Sequence, residues 1–198
     1  MIHFLHPVFT ILTIVLVVYS FLEVNNYKNY NSVWMVIAFL IVFIGLRDWI
    51  GPDYGNYFKA YKDLGMKLDI TDIFNMAVKK DQDVHMEWLY LLFGNFTYEL
   101  DFSFYTFTFL LAIVSISIKY KVFTNNAAYP ALAMLLFMFP TLFISDGGHM
   151  RQGMAMAILL FSFRYIKERK LFMFLFMMYL AVGFHTSATV LLLTIGSY

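Results

Sequence analysis

The amino-acid sequence predicts an all-α, polytopic membrane helix bundle, with about six spans and additional interfacial or re-entrant helices. Of its 198 residues, 61% are apolar and only 14% are charged, and the mean hydropathy is +0.69. Its 23 Phe, 14 Tyr and 13 Met residues supply more apolar surface than a core of this size can enclose. We therefore expect most of that surface to face lipid or neighbouring membrane helices.

Charge and cysteine content exclude several kinds of function. The 14 basic and 13 acidic residues leave a net charge of +1, without the basic excess that binding to nucleic acid requires. No cysteine is present, which excludes a disulfide framework, a thiolate nucleophile and a cysteine-ligated zinc site. The sequence has no HExxH, paired-acidic, Walker or Ser-His-Asp arrangement and gives no support for a metal site.

The spans are predicted from apolar runs, since a helix needs about 20 such residues to cross a hydrocarbon core. The first run lacks a basic n-region and a clear cleavage site, which indicates a retained helix rather than a signal peptide. The fifth run is short, but the Arg residues at its ends can extend its reach. We expect a single transmembrane domain over residues 1–198, with runs at 2–22, 33–50, 102–118, 127–145, 152–166 and 171–192.

Residues 51–101 form the one long hydrophilic stretch, and we expect it to be an extracytoplasmic segment within that domain. Its pattern predicts two amphipathic helices that follow Asp53 and Asp69 as candidate N-caps. The apolar piece 88–98 covers roughly 16 Å as a helix and contains Gly94 and Asn95, so we interpret it as interrupted and interfacial or re-entrant. The apolar faces of the two amphipathic helices contain Tyr54, Tyr57, Phe58, Tyr61 and Leu64, and Ile70, Ile73, Phe74, Ala77 and Val78.

Loop charges predict the orientation. The turn with Arg164, Lys167, Arg169 and Lys170 is the strongest basic cluster and should be cytoplasmic. Alternation from this turn places Lys119 and Lys121 inside, and it places the turn 146–149 and the segment 51–101 outside. Five lysines in that segment favour the opposite orientation, but long loops follow the rule less closely. They are Lys59, Lys62, Lys67, Lys79 and Lys80.

Under this topology, unusual polar side chains meet at the outer membrane boundary. An ionisable residue at such a depth is a functional candidate by default. The segment 146–152 combines two glycines, a helix start and an Arg, which together suit an anion such as phosphate. Arg47 at the end of the second span can clamp a diphosphate from the other side. The alternative is that each Arg only snorkels and that Asp48 neutralises Arg47. The converging residues are Arg47, Asp53, Glu87, His149, Arg151, Gln152 and His185.

Asp53, Glu87 and His185 are the candidate proton acceptors for activating a sugar hydroxyl. Each has a structural alternative. Asp53 is a candidate N-cap, Glu87 complements the start of the helix at residue 88, and His185 can bond the hydroxyl of Thr186 or Ser187. The aromatic residues after Asp53 can either stack on sugar faces or belong to an interfacial aromatic belt. These residues are Tyr54, Tyr57, Phe58 and Tyr61.

Three segments resemble those of a known family. The run 45–57, with the sequence GLRDWIGPDYGNY, resembles the GxR…GxDxxxY-like signature of EpsG-type, Wzy-like bacterial polysaccharide polymerases. MRQG at 150–153, in a helix that ends in YIK at 165–167, resembles the family's second block. FHTSA at 184–188 resembles the third. The three blocks occur in the family's order and lie on one predicted side, so the resemblance extends from Arg47 to Ala188.

The resemblance implies a multi-span enzyme related to GT-C glycosyltransferases and O-antigen ligases. Such enzymes join oligosaccharide repeat units carried on undecaprenyl diphosphate, as in O-antigen, capsule or exopolysaccharide synthesis, at the outer face of the bacterial cytoplasmic membrane. The implied partners are this lipid-linked glycan, membrane lipid and other polysaccharide-assembly proteins, and no cofactor, nucleotide sugar or metal is needed.

Matching the motifs by residue implies that Arg47 and Arg151, with Gln152 and His149, hold the diphosphate. Asp53 or His185 would then act on the acceptor hydroxyl, and the family does not decide between them. Members usually have more spans, so we expect this chain to be a partial polymerase. The alternative function is a non-catalytic protein that binds lipid-linked glycan, such as a transporter, a flippase component or a modulator of a polymerase.

Overall fold

The computed structural model describes residues 7–25, 33–49, 51–65, 86–137 and 146–190. Within these ranges the chain contains α-helices and no strand, which confirms the all-α prediction for this part. The described helices are α1 (Pro7–Val24), α2 (Val33–Gly45), α3 (Tyr54–Gly65), α4 (Trp88–Glu99), α5 (Phe104–Asn126), α6 (Pro130–Phe137), α7 (Met150–Lys167) and α8 (Leu171–Phe184).

One described helix, α5, is both long enough and apolar enough to cross a membrane. It has 23 residues and is mainly apolar. The apolar helical stretches Thr10–Val24, Val33–Gly45 and Leu171–Phe184 are shorter. The number of six spans and the polytopic bundle therefore stay predictions.

The first amphipathic helix of the hydrophilic segment is present as α3. Tyr54, Tyr57 and Tyr61 all lie on its buried side, as their spacing predicts. The second predicted helix, over Ile70 to Val78, lies outside the described residues.

Helix α4 differs from its prediction, because it runs unbroken through Gly94 and Asn95. Gly94 is buried near the rings of Phe107 and Tyr61, so the missing side chain accommodates neighbouring aromatic residues instead of ending the helix. The hydroxyl of Thr97 bonds back to the carbonyls of Phe93 and Gly94 in the preceding turn, at 3.0 and 2.9 Å. The predicted interruption is wrong.

Helix α5 also differs, since it continues to Asn126 instead of ending near residue 118. Lys119 is thus inside a helix and fully buried, whereas Lys121 is exposed. The Nζ of Lys119 lies 2.5 Å from Oδ2 of Asp146. The predicted placement of Lys119 and Asp146 on opposite sides of the membrane is therefore wrong.

The predicted helix over 171–192 ends early, at Phe184. His185 adopts an extended backbone, with φ −158° and ψ 127°, and a short 3₁₀ turn follows over 186–190. The backbone N–H of Thr186 donates to Oε1 of Glu87 at 3.1 Å instead of continuing the helical ladder. His185 consequently lies in a helix-ending turn that α4 helps to hold.

Two hydrophobic clusters share α5. The first joins α3, α4, α7 and α8 to the start of α5, with Phe107 fully buried within it. The second joins α1, α2 and α6 to the middle of α5, around Leu16, Leu40 and Ile116. The buried carboxylate of Glu23 accepts bonds of 3.0 to 3.2 Å from backbone N–H groups in the first turn of α6, which fixes that helix on α1.

Candidate functional site

Glu87 is at the centre of the candidate site. It is the N-cap residue of α4, but its side chain makes no capping bond. Its buried carboxylate forms an ion pair with Arg151, accepts from the Thr186 N–H, and has Oε1 3.5 Å from Nδ1 of His185. One carboxylate thus joins the start of α4, the start of α7 and the end of α8. The prediction that Glu87 only begins a helix does not account for these contacts.

Arg151 lies in the first turn of α7, with its side chain 16% exposed. Its guanidinium carbon is 5.4 Å from the centre of the Tyr57 ring and 5.9 Å from that of Tyr90. Helices α3 and α4 supply these two rings, and Glu87 supplies the charge. Cation–π contact and a charge-assisted bond together hold the Arg fork in one orientation.

Asp53 and His149 form a second carboxylate–imidazole pair, with Oδ2 and Nε2 3.4 Å apart. Both side chains are about one-third exposed, so this pair is more open to solvent than Glu87. We define the polar cluster as the five side chains that these contacts and their electrostatic coupling bring together, namely Asp53, Glu87, His149, Arg151 and His185.

His185 has two partners at one ring nitrogen. Its Nδ1 accepts from the backbone N–H of Ser187 at 3.2 Å and also faces Glu87. The partner predicted for His185, a Thr186 or Ser187 hydroxyl, is replaced here by a backbone group. Burial lowers the pKa of His185, while the Glu87 carboxylate opposes that shift. The imidazole is thus held mainly in its neutral form at neutral pH.

Arg47 follows the end of α2 and is turned inward, with only 6% of its surface exposed. One terminal nitrogen donates to the carbonyl of Ile44 at 2.8 Å, whereas its buried Nε has no hydrogen-bond partner. Asp48 instead accepts a 2.9 Å bond from the Tyr105 hydroxyl, so it is not the neutralising partner of Arg47. Burial lowers the pKa of Arg47, and Asp146 is the main group that opposes this shift.

The two arginines are close to one pair of tyrosines. Both guanidinium groups interact electrostatically with the hydroxyls of Tyr57 and Tyr90. The rings of these tyrosines are 5.7 Å apart. Arg47 and Arg151 therefore lie at the same end of the bundle.

The turn at Gly51 packs directly on the turn 146–149. Gly51 has φ +111°, and a side chain there would come within 2.9 Å of the Gly147 carbonyl oxygen. Trp49 is a non-glycine residue with φ 49°, a sparsely populated backbone conformation. The close contact between the two turns places Asp53 opposite His149.

Comparison with known proteins identifies the family. Residues 31–197 match the EpsG family, a range that contains both arginines and the whole polar cluster. The chain belongs to the EpsG family. Membership indicates a role like that of a polysaccharide polymerase, in a family that is typically membrane-associated. No curated protein and no solved structure matches the chain significantly.

The predicted sugar-contacting residues of this EpsG-family chain are inside the protein. Tyr54 and Tyr57 are 2% and 1% exposed. Tyr54 packs against Trp49 and Phe104, and Tyr57 packs against Tyr90. Neither ring has a free face for stacking in this arrangement, because both complete the aromatic core beside the polar cluster.

Gln152 completes the set of predicted residues in the EpsG-family chain. It is partly buried in the first turn of α7, next to Arg151. Among the residues whose structure is described, no group of three or more His, Asp or Glu side chains is arranged to hold a metal ion.

The sequence patterns do not predict one buried ion pair. The loop charges predict Lys119 inside and the turn that begins at Asp146 outside, yet the two residues form a fully buried ion pair with Ser115 beside it. Ser115 and Lys119 are four residues apart and so share one helix face. A serine and a lysine on one face of a mainly apolar helix are the signal that points to a buried acidic partner in this EpsG-family member.

Proposed function

We propose that this EpsG-family protein is a membrane glycosyltransferase that joins undecaprenyl-diphosphate-linked oligosaccharide repeat units at the extracytoplasmic face of the bacterial cytoplasmic membrane. Family membership supports polysaccharide synthesis. The observation that carries the proposal is the contact of one buried carboxylate, Glu87, with both Arg151 and His185. An anion-binding group and a proton acceptor are thereby held side by side.

The chemistry needs both groups. In the proposed step, the bond between the anomeric carbon of the donor glycan and its diphosphate breaks, and a bond to the acceptor hydroxyl oxygen forms. The diphosphate leaves with the bonding electron pair, and the hydroxyl proton passes to a base. Arg151 and Arg47 stabilise the departing charge, since Arg forks match phosphate oxygens and are strongest in a site with little water.

His185 with Glu87 is the better placed base. A proton on Nδ1 that faces Glu87 leaves the Nε2 lone pair free for the acceptor hydroxyl, and the carboxylate stabilises the imidazolium that forms. The Ser187 N–H bond favours the other tautomer, in which Nε2 donates. Substrate binding that strengthens the Glu87 contact would select the catalytic tautomer. Asp53, paired with His149, is the second candidate base because it is more exposed.

The diphosphate can be bound without loss of the internal ion pair. Arg151 has five N–H donors, and its contact with Glu87 uses one terminal nitrogen. Arg47 uses a terminal nitrogen on the Ile44 carbonyl and keeps a buried Nε with no partner. The Nε–H group of Arg47 can therefore donate a hydrogen bond to a bound anion.

Polymer length in a deletion strain tests the proposal. We expect complementation with the unmodified chain to restore long polymer, and Arg151→Ala to leave single repeat units displayed outside. Arg164→Ala is the matched control, because Arg164 is an exposed Arg at the other end of the same helix, stacked on Phe161 and Tyr165. Normal polymer from Arg151→Ala at normal protein level would contradict the proposal. Single units trapped inside would instead support the alternative function, a transporter or flippase component.

A further inference from the structure

A buried polar group joins α5 to the turn that begins α7. The carboxylate of Asp146 accepts from Nζ of Lys119 at 2.5 Å and from Oγ of Ser115 at 2.5 Å. Ser115 is also 3.2 Å from the carbonyl oxygen of Gly153. All three side chains are buried, and the polar cluster does not include them. Both carboxylate oxygens of Asp146 therefore have a partner on α5.

The first turn of α7 is shaped around this carboxylate. A side chain at Gly153 would come within 2.5 Å of Oδ1 of Asp146 and within 3.0 Å of its Cα. The absence of a side chain allows Asp146 to lie between α5 and α7. From that point the chain turns through Gly147 and Gly148, which touch Gly51 of the opposite loop, before it reaches His149 and Arg151.

Stability alone does not explain the use of charges here. Burial of an ion pair removes two charges from water, and this desolvation costs free energy. Apolar side chains of similar size at the same positions often make a fold as stable or more stable. An ion pair with an added hydroxyl differs in being directional, because each bond fixes an angle as well as a distance. A directional contact at the start of the turn fixes where the following residues lie. Asp146 also acts electrostatically on Arg47.

We propose that Asp146, held by Lys119 and Ser115, is a positioning residue that sets the turn 146–149 and so places Arg151 and His149 against the substrate diphosphate. This inference rests on the proposed function for the identity of the ligand. The placement of the turn itself can be measured without any glycan.

The first experiment measures the turn directly. The chain has no cysteine, so His149→Cys introduces a single thiol, and its rate of reaction with a maleimide in detergent reports exposure of the turn. We expect Lys119→Met in this background to raise the rate about twofold, since a thiol in place of the one-third exposed His149 side chain has only part of its surface left to expose. Lys121→Met, an exposed lysine on the same helix, should leave the rate unchanged. An unchanged rate in Lys119→Met would overturn the proposal.

The second experiment separates positioning from folding and uses chains that retain His149. Lys119→Met combined with Asp146→Leu replaces the pair by apolar side chains, whereas Lys119→Met combined with Asp146→Asn keeps an acceptor for Ser115. We expect both double variants to recover the thermal stability that Lys119→Met alone loses. The Asn variant should stay within about threefold of the normal kcat for lipid-linked glycan, and the Leu variant should fall about tenfold below it, because a displaced Arg151 stabilises the leaving diphosphate less well.

The outcomes distinguish the two proposals. Equal kcat values for the Leu and Asn variants at equal stability would show a purely structural role and overturn the positioning. If the unmodified chain transfers no glycan, the proposed function fails and the maleimide rates alone decide whether Lys119 and Asp146 set the turn.

Discussion

The carboxylate of Glu87 forms an ion pair with the guanidinium of Arg151, although 64 positions separate the two residues in the chain. Both side chains are largely buried, so each depends on the other for its charge to be tolerated. The same carboxylate accepts from the backbone of Thr186 and faces His185. The start of α4 thereby sets the positions of a cation and an imidazole that come from two other helices.

Glu87→Gln should destabilise the protein by about 3 kcal/mol, since it leaves the Arg151 charge partly buried and without its carboxylate. Thermal unfolding in detergent measures this change. Glu99→Gln is the matched control, because Glu99 is an exposed carboxylate at the other end of α4 and should shift the midpoint little. Equal midpoints for the two variants would show that the ion pair does not stabilise the fold.

The rate of glycan transfer should fall as the pH drops below about 6.5, the ordinary pKa of histidine, because a base must be neutral to accept a proton. Burial lowers the pKa of His185, so the neutral form persists to a more acidic pH than for a free imidazole. The acidic limb of the kcat/KM profile should therefore lie below the ordinary pKa of histidine. Any residual activity of His185→Gln should lack this limb. An unchanged limb in that variant would assign it to another group.

The same pKa shift makes a stability prediction. The pKa of His185 is lower in the folded chain than in the unfolded chain, so the unfolded chain binds a proton more readily. The free energy of unfolding therefore decreases as the pH falls from the pKa of the unfolded chain towards that of the folded chain. Denaturant titrations between pH 7 and pH 5 should show a smaller loss of unfolding free energy for His185→Gln than for the unmodified chain. Parallel losses in the two chains would contradict this coupling.

Gly51→Ala should lower stability by about 1 to 3 kcal/mol. The backbone at residue 51 has φ +111°, and the added carbon would meet the Gly147 carbonyl oxygen at 2.9 Å. Separation of the two turns should also weaken the contact of Asp53 with His149. Gly55→Ala is the control, since Gly55 lies in α3 with its nearest neighbouring atom at 3.7 Å and gains helix propensity. A Gly51→Ala chain as stable as the control would show that the turns tolerate separation.

Glu23→Ala should destabilise the protein by about 1 to 3 kcal/mol, because backbone N–H groups of Ala131 and Leu132 would lose a buried acceptor. This contact joins α1 and α6, two helices of the second hydrophobic cluster, away from the polar cluster. We therefore expect protein level and midpoint to fall while KM for lipid-linked glycan stays constant. A raised KM would show that α6 also positions the site.

Local patterns in the sequence were sufficient to predict several features. The apolar runs and the spacing of Tyr54, Tyr57 and Tyr61 predict helices, because a helix buries one face at a fixed period. The predicted topology puts Asp53, Glu87, His149, Arg151 and His185 at one membrane boundary, and the described structure brings these five side chains together. Their roles in catalysis and binding stay proposals.

Other features depend on contacts between distant segments. The ion pair of Lys119 and Asp146 bridges 27 positions, and it allows α5 to continue past a charge that ended the predicted apolar run. Helix α8 ends at Phe184 because Glu87 takes the next backbone donor, which no pattern within 171–192 indicates. Burial of Tyr54 and Tyr57 follows from aromatic rings on other segments. Periodicity describes one segment at a time and cannot assign such partners.

Transfer by the purified chain tests the central proposal most directly. The protein is reconstituted into lipid vesicles with one undecaprenyl-diphosphate-linked repeat unit, and products are separated by length. We predict dimers and longer chains with released undecaprenyl diphosphate from the unmodified chain, and a loss of at least about a hundredfold in rate for His185→Ala and for Arg151→Ala. Arg164→Ala should retain full activity. Glycan binding without any joined product from the folded, unmodified chain would contradict glycosyl transfer.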